Sequence, residues 1–376
     1  MTASTLISTV GTSLFFPNLA HLKPDDDQPA RATLAAAYAA GDLNEIARGL
    51  AAFPPHDRLC GAEINSIAAL RKKGCITPGC NLFFCHSATD DGRAIGRILQ
   101  GFHQALGHPV VELREIGGLQ DADPRLFRTH GLRNLAKEIC AVVRAYGPDQ
   151  SAINATGGYK AQIAISVLMG QAINVPVYYK HERFDEIISF PPMPVALDFE
   201  VWMQASGMLF DLAKTSDLVP AEDYASDWNE KLESLVERTR IDGREYIELS
   251  AAGQIFHETF RERFRSTRDA VLPPPAQPGW KRDPRWEASG HMHDHPEVMR
   301  LMNDLTGQVP QVIHCATWYF HPDLPERPRF RRGSRGLEGI ASNGTYCVKF
   351  RVESTATTEG QMSALVAALN EWMAAR

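Results

Sequence analysis

The feature that most constrains the fold is an alternation of short apolar runs with amphipathic segments over the first 182 residues. Runs rich in β-branched and aromatic residues predict strands, and apolar residues spaced three or four apart predict helices. Such an alternation is typical of βαβ units, so we expect an α/β protein with a Rossmann-like parallel sheet and helices on both faces. The predicted strands are 5–10, 80–87, 109–116, 151–154 and 175–182, and the predicted helices are 28–52, 61–73, one within 88–106, 132–146 and 160–172.

Three prolines within 189–198 interrupt this pattern, so we place the end of a first domain at residue 198. Helical patterns at 199–216 and 222–240, a short strand around Tyr246 and a helix 251–264 capped by Ser250 predict a helical or winged-helix linker domain, 199–272. A proline-rich stretch, 270–284, leads to a small α/β domain, 285–376. Its predicted elements are a helix at 296–306, strands at 311–320 and 343–354, and a last helix capped near Thr358.

Composition limits the class of protein and of partner. The net charge of −6 means that any contact with nucleic acid needs a local basic patch. No apolar run is long enough to cross a bilayer, and the N-terminus lacks the basic start of a signal peptide. Seven cysteines, an odd number scattered along the chain, argue against a disulfide framework. We therefore expect a cytoplasmic protein without a membrane partner.

Three polar turns follow predicted strands, at 11–13, 87–92 and 154–160. Because the carboxyl ends of parallel strands share one sheet edge, we expect the turns to gather there. A glycine-rich turn that opens a helix offers N–H groups to an anion, and a lysine adds charge. A plain tight turn is the alternative. The candidate ligand contacts are Thr12, Ser13, Thr89, Asp90, Asn154, Thr156, Gly157, Gly158 and Lys160.

The turn is not a nucleoside-triphosphate loop, because a single residue separates Gly158 from Lys160, and Ala161 stands where that motif needs Ser or Thr. Instead, the runs "STVGTSL" (8–14), "AEINSI" (62–67), "LFFCHSATDDGRAIGRIL" (82–99) and "INATGGYK" (153–160) together resemble a CARF domain, the CRISPR-associated Rossmann-type sensor of cyclic oligoadenylates. The resemblance covers about the first 198 residues and is closest to the ring-nuclease branch. It implies a homodimer that binds one cyclic tetra-adenylate or hexa-adenylate as an allosteric activator. It also implies that Ser13 and Lys160 permit cleavage of the ring.

A basic cluster in the C-terminal region is the second candidate site. "ERPRFRRGSRG" places five arginines within nine residues, close to aromatic residues. Arginine with interleaved aromatics suits single-stranded RNA, although a charge run is often only a solvated loop. The order of elements around it resembles RelE-type messenger-RNA endonucleases, which cleave without a metal. That resemblance implies catalytic roles for residues of this region: Arg329, Arg331, Arg332, Arg335, His321, Tyr346, Lys349 and Arg351.

Other constellations are weaker. His291, His293, Asp294 and His295 approach a metallo-hydrolase motif, but Asp294 before His295-Pro296 is also a helix start, which we favour. Arg285 and His291 have the spacing of HEPN ribonucleases in a segment that predicts no helix. Cys75, Cys80, Cys85 and His86 fit buried or loop positions better than a zinc site. We expect no metal and no further cofactor.

The sequence therefore predicts a type III CRISPR antiviral effector: a metal-independent endoribonuclease that cyclic oligoadenylate activates. Its partners would be the ring, RNA, including ribosome-bound messenger RNA, and a second copy of the chain. Two alternatives stay open. One is a ring nuclease with a non-catalytic C-terminal domain, and the other is a winged-helix regulator that binds nucleic acid.

Overall fold

The computed structural model describes residues 2–181, 186–193, 197–215, 217–288, 295–333 and 336–376. Contacts group this described part of the chain into two compact units. We call unit 1 Met1–Ala196 with Ser250–Ile255, and unit 2 Leu197–Leu249 with Phe256–Arg376. The proposed division into 1–198, 199–272 and 285–376 stays a prediction. Residues from the last two of these ranges share one hydrophobic core.

Unit 1 is built on the alternation that the sequence predicts. In chain order its elements are β1 (Ala3–Thr9), α1 (Pro29–Ala40), α2 (Leu43–Leu50), α3 (Gly61–Lys72), β2 (Ile76–Ser87), α4 (Asp90–Ala105), β3 (Val111–Ile116), α5 (Pro124–Leu126), α6 (Leu132–Tyr146), β4 (Ser151–Asn154), α7 (Lys160–Ala172), β5 (Val177–Lys180) and β6 (Ile187–Phe190). The segment Ser250–Ile255 also belongs to this unit.

Within the described residues, unit 1 has a six-stranded sheet in the order β3-β2-β1-β4-β5-β6. The strands run parallel except β6, which is antiparallel to β5. Successive side chains of β1 lie on opposite faces of the sheet, since Leu6 packs with the helices α2–α4 and Ile7 packs with α6. Burial on both faces explains the nearly continuous apolar strands. The predicted mixed α/β class with a mostly parallel sheet is confirmed.

The second unit combines helices with two antiparallel sheets. In chain order its elements are α8 (Phe199–Lys214), β7 (Val219–Pro220), β8 (Val236–Ile241), β9 (Arg244–Leu249), α9 (Ala251–Val271), α10 (Pro296–Gln308), β10 (Val312–His321), β11 (Arg329–Gly333), β12 (Gly336–Ala341), β13 (Cys347–Ser354) and α11 (Glu359–Ala374). Among the described residues, the two sheets have the strand orders β7-β9-β8 and β10-β13-β12-β11. Helices α8 and α11 cover the second sheet, where Asn370 accepts the N–H of Phe330 and donates to its carbonyl at 2.8 Å each.

Some local predictions for this region hold, and one fails. The hydroxyls of Ser250 and Thr358 accept N–H groups at the starts of α9 and α11, as expected for caps. The helix predicted at 222–240 is wrong, because 221–227 and 230–235 form 3₁₀ turns before strand β8. The β8–β9 hairpin turns at Asp242 and Gly243, both with positive φ, which favours this pair of residue types. The winged-helix assignment itself stays a prediction.

None of the helices in the described ranges is both long enough and apolar enough to cross a membrane.

Candidate functional site

The first and third polar turns of unit 1 meet where the order of the strands reverses. Strands β2, β1 and β4 are neighbours and run parallel, so their carboxyl ends lie at one edge. The chain passes from β1 to β2 and β3 on one side and to β4 and β5 on the other, which makes β1 and β4 the borders of a crevice. A Cβ on Gly11 would lie 2.5 Å from the backbone nitrogen of Gly158. The first and third turns therefore touch, as the sequence predicts for a shared site.

The third turn runs directly into α7. Gly158 has φ +96°, which disfavours any residue with a side chain. The side-chain oxygen of Gln162 accepts the N–H of Tyr159 at 2.5 Å, and the helix begins at Lys160. Lys160 is exposed, so its ammonium group is available to an anion at the start of the helix. This arrangement fits the predicted phosphate-facing turn.

Asn154 has a supporting position rather than an accessible one. Its side chain is fully buried, and its Nδ2 donates to the hydroxyls of Ser8 at 3.0 Å and Ser66 at 2.8 Å. Its Oδ1 accepts from the Thr156 hydroxyl at 2.6 Å, which in turn accepts the N–H of Lys180 at 3.0 Å. These two predicted ligand contacts are thus engaged in fixing the end of β4 to its neighbours.

The other predicted contacts lie on the first and second turns. Thr12 is exposed, and the Ser13 hydroxyl accepts the N–H of Ala62 at 3.2 Å. Thr89 caps α4 by accepting the N–H of Gly92 at 3.1 Å, and the exposed Asp90 pairs with Arg93 at 3.1 Å. Among the predicted ligand contacts, Thr12, Asp90 and Lys160 are exposed. Asp90 is already paired with Arg93, whereas Lys160 forms no ion pair among the described contacts.

Glu63, which sequence reasoning missed, lies beneath these turns. It belongs to the first turn of α3, and its Oε1 accepts the N–H of Gly11 at 2.7 Å. Burial raises the pKa of its carboxyl to about 7, although hydrogen bonds from the N–H groups of Gly11 and of Glu63 itself oppose the shift. A signal was present in "AEINSI", where the acid follows the start of a helix. An acid in the first turn of a helix is ordinarily explained by its favourable interaction with the helix dipole, so the sequence alone does not indicate that Glu63 is buried.

In unit 2 the predicted arginines form a strand with internal ion pairs. Arg329 is 1% exposed, and its Nε lies 2.6 Å from Asp227. Arg331 bridges Asp227 at 2.9 Å and Glu338 at 2.8 Å. Arg332 pairs with Glu359, and Arg335 lies outside the described residues. The "ERPRFRRG" run is therefore neither a solvated loop nor a set of free cations.

The cross-strand register places four of the predicted residues on one face of the second sheet. Arg331 lies opposite Glu338, which lies opposite Arg351, while Arg329 and Lys349 both lie opposite Ile340. Directly opposed residues share a face. Lys349 pairs with Glu326 at 2.6 Å, and its Nζ lies 5.1 Å from the centre of the Tyr319 ring. We call this the cationic face, defined by Arg329, Arg331, Lys349 and Arg351.

Groups suited to proton transfer lie at one end of this sheet. His321 lies opposite Cys347, the neighbour of Tyr346, and its Nδ1 accepts the N–H of Asp323 at 3.1 Å. The Tyr346 hydroxyl donates to Glu297 at 2.6 Å. Burial and this hydrogen bond raise the pKa of Tyr346. Burial also pushes the pKa of Glu297 upward, but the hydrogen bonds from Tyr346 and from its own backbone N–H, together with the interaction with His295, outweigh burial and hold the pKa below its ordinary value. Tyr346 is thus held protonated beside a carboxylate.

The histidine-rich segment gives no metal centre that can be described. His291, His293 and Asp294 lie outside the described residues, and His295 precedes α10 with its ring stacked on Trp286 at 5.9 Å. The expected side-chain cap from Asp294 therefore stays a prediction. In the described ranges no group of three or more His, Cys, Asp or Glu side chains could hold a metal ion.

Comparison with known proteins bears on unit 1. A search of curated proteins found no match to the chain. One match to a family covers α3 to β6, including the second and third turns and Glu63, and leaves out β1, the first turn and all of unit 2. Over residues 58–193 the chain is similar to a family described as CRISPR-associated protein (Cas_APE2256).

Proposed function

We propose that the protein is an accessory effector of type III CRISPR defence that binds a cyclic oligoadenylate at the turns of unit 1 and cleaves RNA with unit 2. The observation that carries the first half is the contact between the Gly11 turn and the Gly157-Gly158 turn at the point where the strand order reverses. The match of residues 58–193 to a CRISPR-associated family supports the same context. Binding at this site activates the ribonuclease.

The chemistry of the turns suits a phosphodiester. The start of α7 offers N–H groups and the positive end of its dipole, and Lys160 adds a full charge. Thr12 on the first turn offers an exposed hydroxyl. In a dimer, two such sites would contact one ring. Ser13 and Lys160 would then assist ring cleavage if a ribose hydroxyl were aligned on the neighbouring phosphate.

Isothermal titration with cyclic tetra-adenylate and cyclic hexa-adenylate tests the first half. We expect wild type to bind one ring per dimer and Lys160→Ala to bind at least about tenfold more weakly, because a charge-assisted contact contributes about 1.5–3 kcal/mol. Lys72→Ala, an exposed lysine at the end of α3, is the matched control and should bind as wild type does. No heat from either ring would reject the proposal.

For the second half, the cationic face and Tyr346 provide the groups that RNA cleavage needs. Arginines stabilise the charge that develops on phosphorus, and a tyrosine held protonated can donate a proton to the leaving oxygen. RNA cleavage assayed with and without ribosomes, and with and without the ring, tests this half. Cleavage that chelators leave unchanged and that the ring stimulates is the expected result.

One observation favours a second candidate, a ring nuclease whose unit 2 does not cleave RNA. Each described arginine of the run from Arg327 to Arg332 has a carboxylate partner, and Arg329 is buried. Under this alternative, labelled ring is converted to linear product, Ser13→Ala abolishes the conversion, and RNA stays intact under every condition.

A further inference from the structure

Glu63 joins the first and third turns from below. Its Oε1 accepts the N–H of Gly11 on the first turn, at 2.7 Å. A Cβ on Gly157 of the third turn would lie 2.0 Å from the same oxygen, so this glycine packs directly on the carboxyl group. Thr9 completes the junction, because its hydroxyl donates to the carbonyl of Gly157 at 2.5 Å. A single buried acid thus touches both turns that border the crevice.

The two side chains that flank the glycine pair each keep one unsatisfied polar atom. Glu63 is 0% exposed and Gln162 is 1% exposed. Oε2 of Glu63 and Nε2 of Gln162 have no hydrogen-bond partner among the residues that the structure describes. Buried polar groups without partners are rare and costly, and they concentrate where a site does chemistry or changes state. Both of these atoms lie at the proposed ligand turn.

The surroundings favour the neutral form of this acid. No charged side chain is among the groups that shift its pKa, which burial dominates. The elements that pack against α3, together with the start of α7, carry other titratable groups, and none of these forms an ion pair with Glu63 among the described contacts. These groups are Arg58, Cys60, Cys80, Cys85, His86, Tyr159, Lys160, Tyr178, Tyr179 and Lys180. A carboxylate here would therefore be a negative charge with little compensation, directly behind backbone that faces the ligand.

We propose that Glu63 is a positioning residue that makes the binding of an anionic ligand at the glycine turns depend on the uptake of a proton. This rests on the proposed function of unit 1. When Oε2 carries a proton, the carboxyl is neutral and the turns accept a phosphodiester. When it is ionised, its charge opposes the anion across a thin layer of low-dielectric backbone. Binding then transfers one proton from the buffer to Glu63, and no covalent bond changes.

The first readout needs no ligand. Because the folded-state pKa of Glu63, about 7, lies above its ordinary value of 4.5, its favourable contribution to stability is complete below about 4.5 and is lost as the pH rises to about 7. The melting temperature of unit 1 in the wild type should therefore fall relative to that in Glu63→Gln as the pH rises from about 4.5 to about 7. Above pH 7 the difference between the two proteins should stay constant. Glu45→Gln changes a partly exposed acid in the first turn of α2 that pairs with Arg48 at 3.0 Å, and this variant should keep the wild-type profile.

The second readout is ring binding by isothermal titration at pH 6 and pH 8, in buffers with different ionisation enthalpies. Wild type should bind about tenfold more weakly at pH 8 and take up close to one proton there, since a group with a pKa near 7 is then about nine-tenths ionised. Glu63→Gln keeps an acceptor for Gly11, so its affinity should change less than about twofold and its heat should not depend on the buffer. Glu63→Met removes charge and acceptor together and shows whether the hydrogen bond alone holds the turns.

The outcomes separate the two proposals. The role of Glu63 is rejected, and the proposed ligand is kept, if wild type binds the ring equally well at both pH values. The same conclusion follows if the affinity of Glu63→Gln depends on pH as that of wild type does. If no variant binds either ring although the stability profiles differ as expected, the proposed ligand is rejected, and the coupling falls with it. If the melting temperatures of wild type and Glu63→Gln depend on pH in the same way, the raised pKa of Glu63 is rejected, and the proposed coupling with it.

Discussion

At the scale of single residues, the glycine turn has no room for a side chain. A Cβ on Gly157 would lie 2.0 Å from Oε1 of Glu63 and 2.7 Å from the carbonyl oxygen of Thr9. Because that carbonyl belongs to the β1 backbone, the turn itself must shift, and overpacking of this kind costs about 1–3 kcal/mol. We predict that Gly157→Ala lowers the free energy of unfolding of unit 1 by about this amount and weakens ring binding. Urea denaturation followed by far-ultraviolet circular dichroism measures the first effect.

Gly79 offers the matched control. It lies in β2 of the same sheet, and a Cβ there would meet nothing within 4 Å. Gly79→Ala should therefore change the free energy of unfolding by less than about 0.5 kcal/mol, as surface substitutions usually do. Equal effects of the two substitutions would contradict the close packing described for the turn.

The same turn shows what sequence reasoning can and cannot supply at this scale. "NATGGYK" gave the correct strand end, turn and helix start, because glycine and capping preferences are local. It also gave Asn154 as a ligand contact, whereas the structure engages its amide with Ser8 and Ser66, far away in the chain. Its partners are set by sheet order, which no local pattern encodes. The burial of Glu63 beneath the turns was not predicted for the same reason, since its contact with Gly11 joins residues that are 52 positions apart.

At the scale of elements, the contact between β11 and the acidic segment 221–227 determines which arginines are buried and ion-paired. Arg329 is buried, and its partners include the Asp227 carboxylate and the carbonyl oxygens of Asp223 and Arg327. Removing the charge of Asp227 would leave a buried guanidinium with too little compensation, which typically costs about 3–5 kcal/mol. We predict that Asp227→Asn destabilises unit 2 by about this amount.

Tryptophan fluorescence is a suitable probe, since all six tryptophans of the chain lie at or beyond residue 202 and thus in unit 2. Asp304→Asn is the control, because Asp304 pairs with Arg376 between side chains that are 37% and 41% exposed. Exposed pairs contribute about 0–1 kcal/mol. If Asp227→Asn costs no more than this control, the pair with Arg329 is not structural, and the arginine is more available than its burial indicates.

These two elements also explain where prediction failed. Residues 222–240 contain apolar residues at helical spacing, but Val236, Arg238 and Arg240 alternate along a strand that the Asp242-Gly243 turn reverses. The arginine run alternates in the same way once it forms β11. Two of its acidic partners, Asp223 and Asp227, precede it by about a hundred residues, so charge composition alone predicted free cations. Periodicity gave the elements of unit 1 more reliably because both faces of its sheet are buried.

At the scale of the whole molecule, an exposed leucine on α7 offers a test of the predicted self-association. Leu168 is 43% exposed, and it follows Lys160 on a helix whose other residues are mostly apolar. We predict that Leu168→Glu weakens the homodimer implied by the CARF resemblance at least about tenfold, since a charge buried at an interface without a partner costs several kcal/mol. Sedimentation velocity over a concentration series measures this. Leu106→Glu, on a leucine that is 52% exposed at the end of α4, is the control. Equal behaviour of the two variants would place any interface elsewhere.

The proposed function requires coupling between ring sensing and RNA cleavage, and two substitutions can separate these two activities. Lys160→Ala should reduce ring binding and therefore raise the ring concentration needed for cleavage, while saturating ring restores the rate. Tyr346→Phe removes the hydroxyl that donates to Glu297, so ring binding should match wild type while cleavage falls about 10²–10⁴-fold, the range for loss of a general acid. The measurement pairs titration of each variant with cleavage of labelled RNA across ring concentrations. Tyr346→Phe that cleaves as wild type does would exclude this tyrosine from proton transfer, and Lys160→Ala with an unchanged ring dependence would exclude the glycine turn as the sensor.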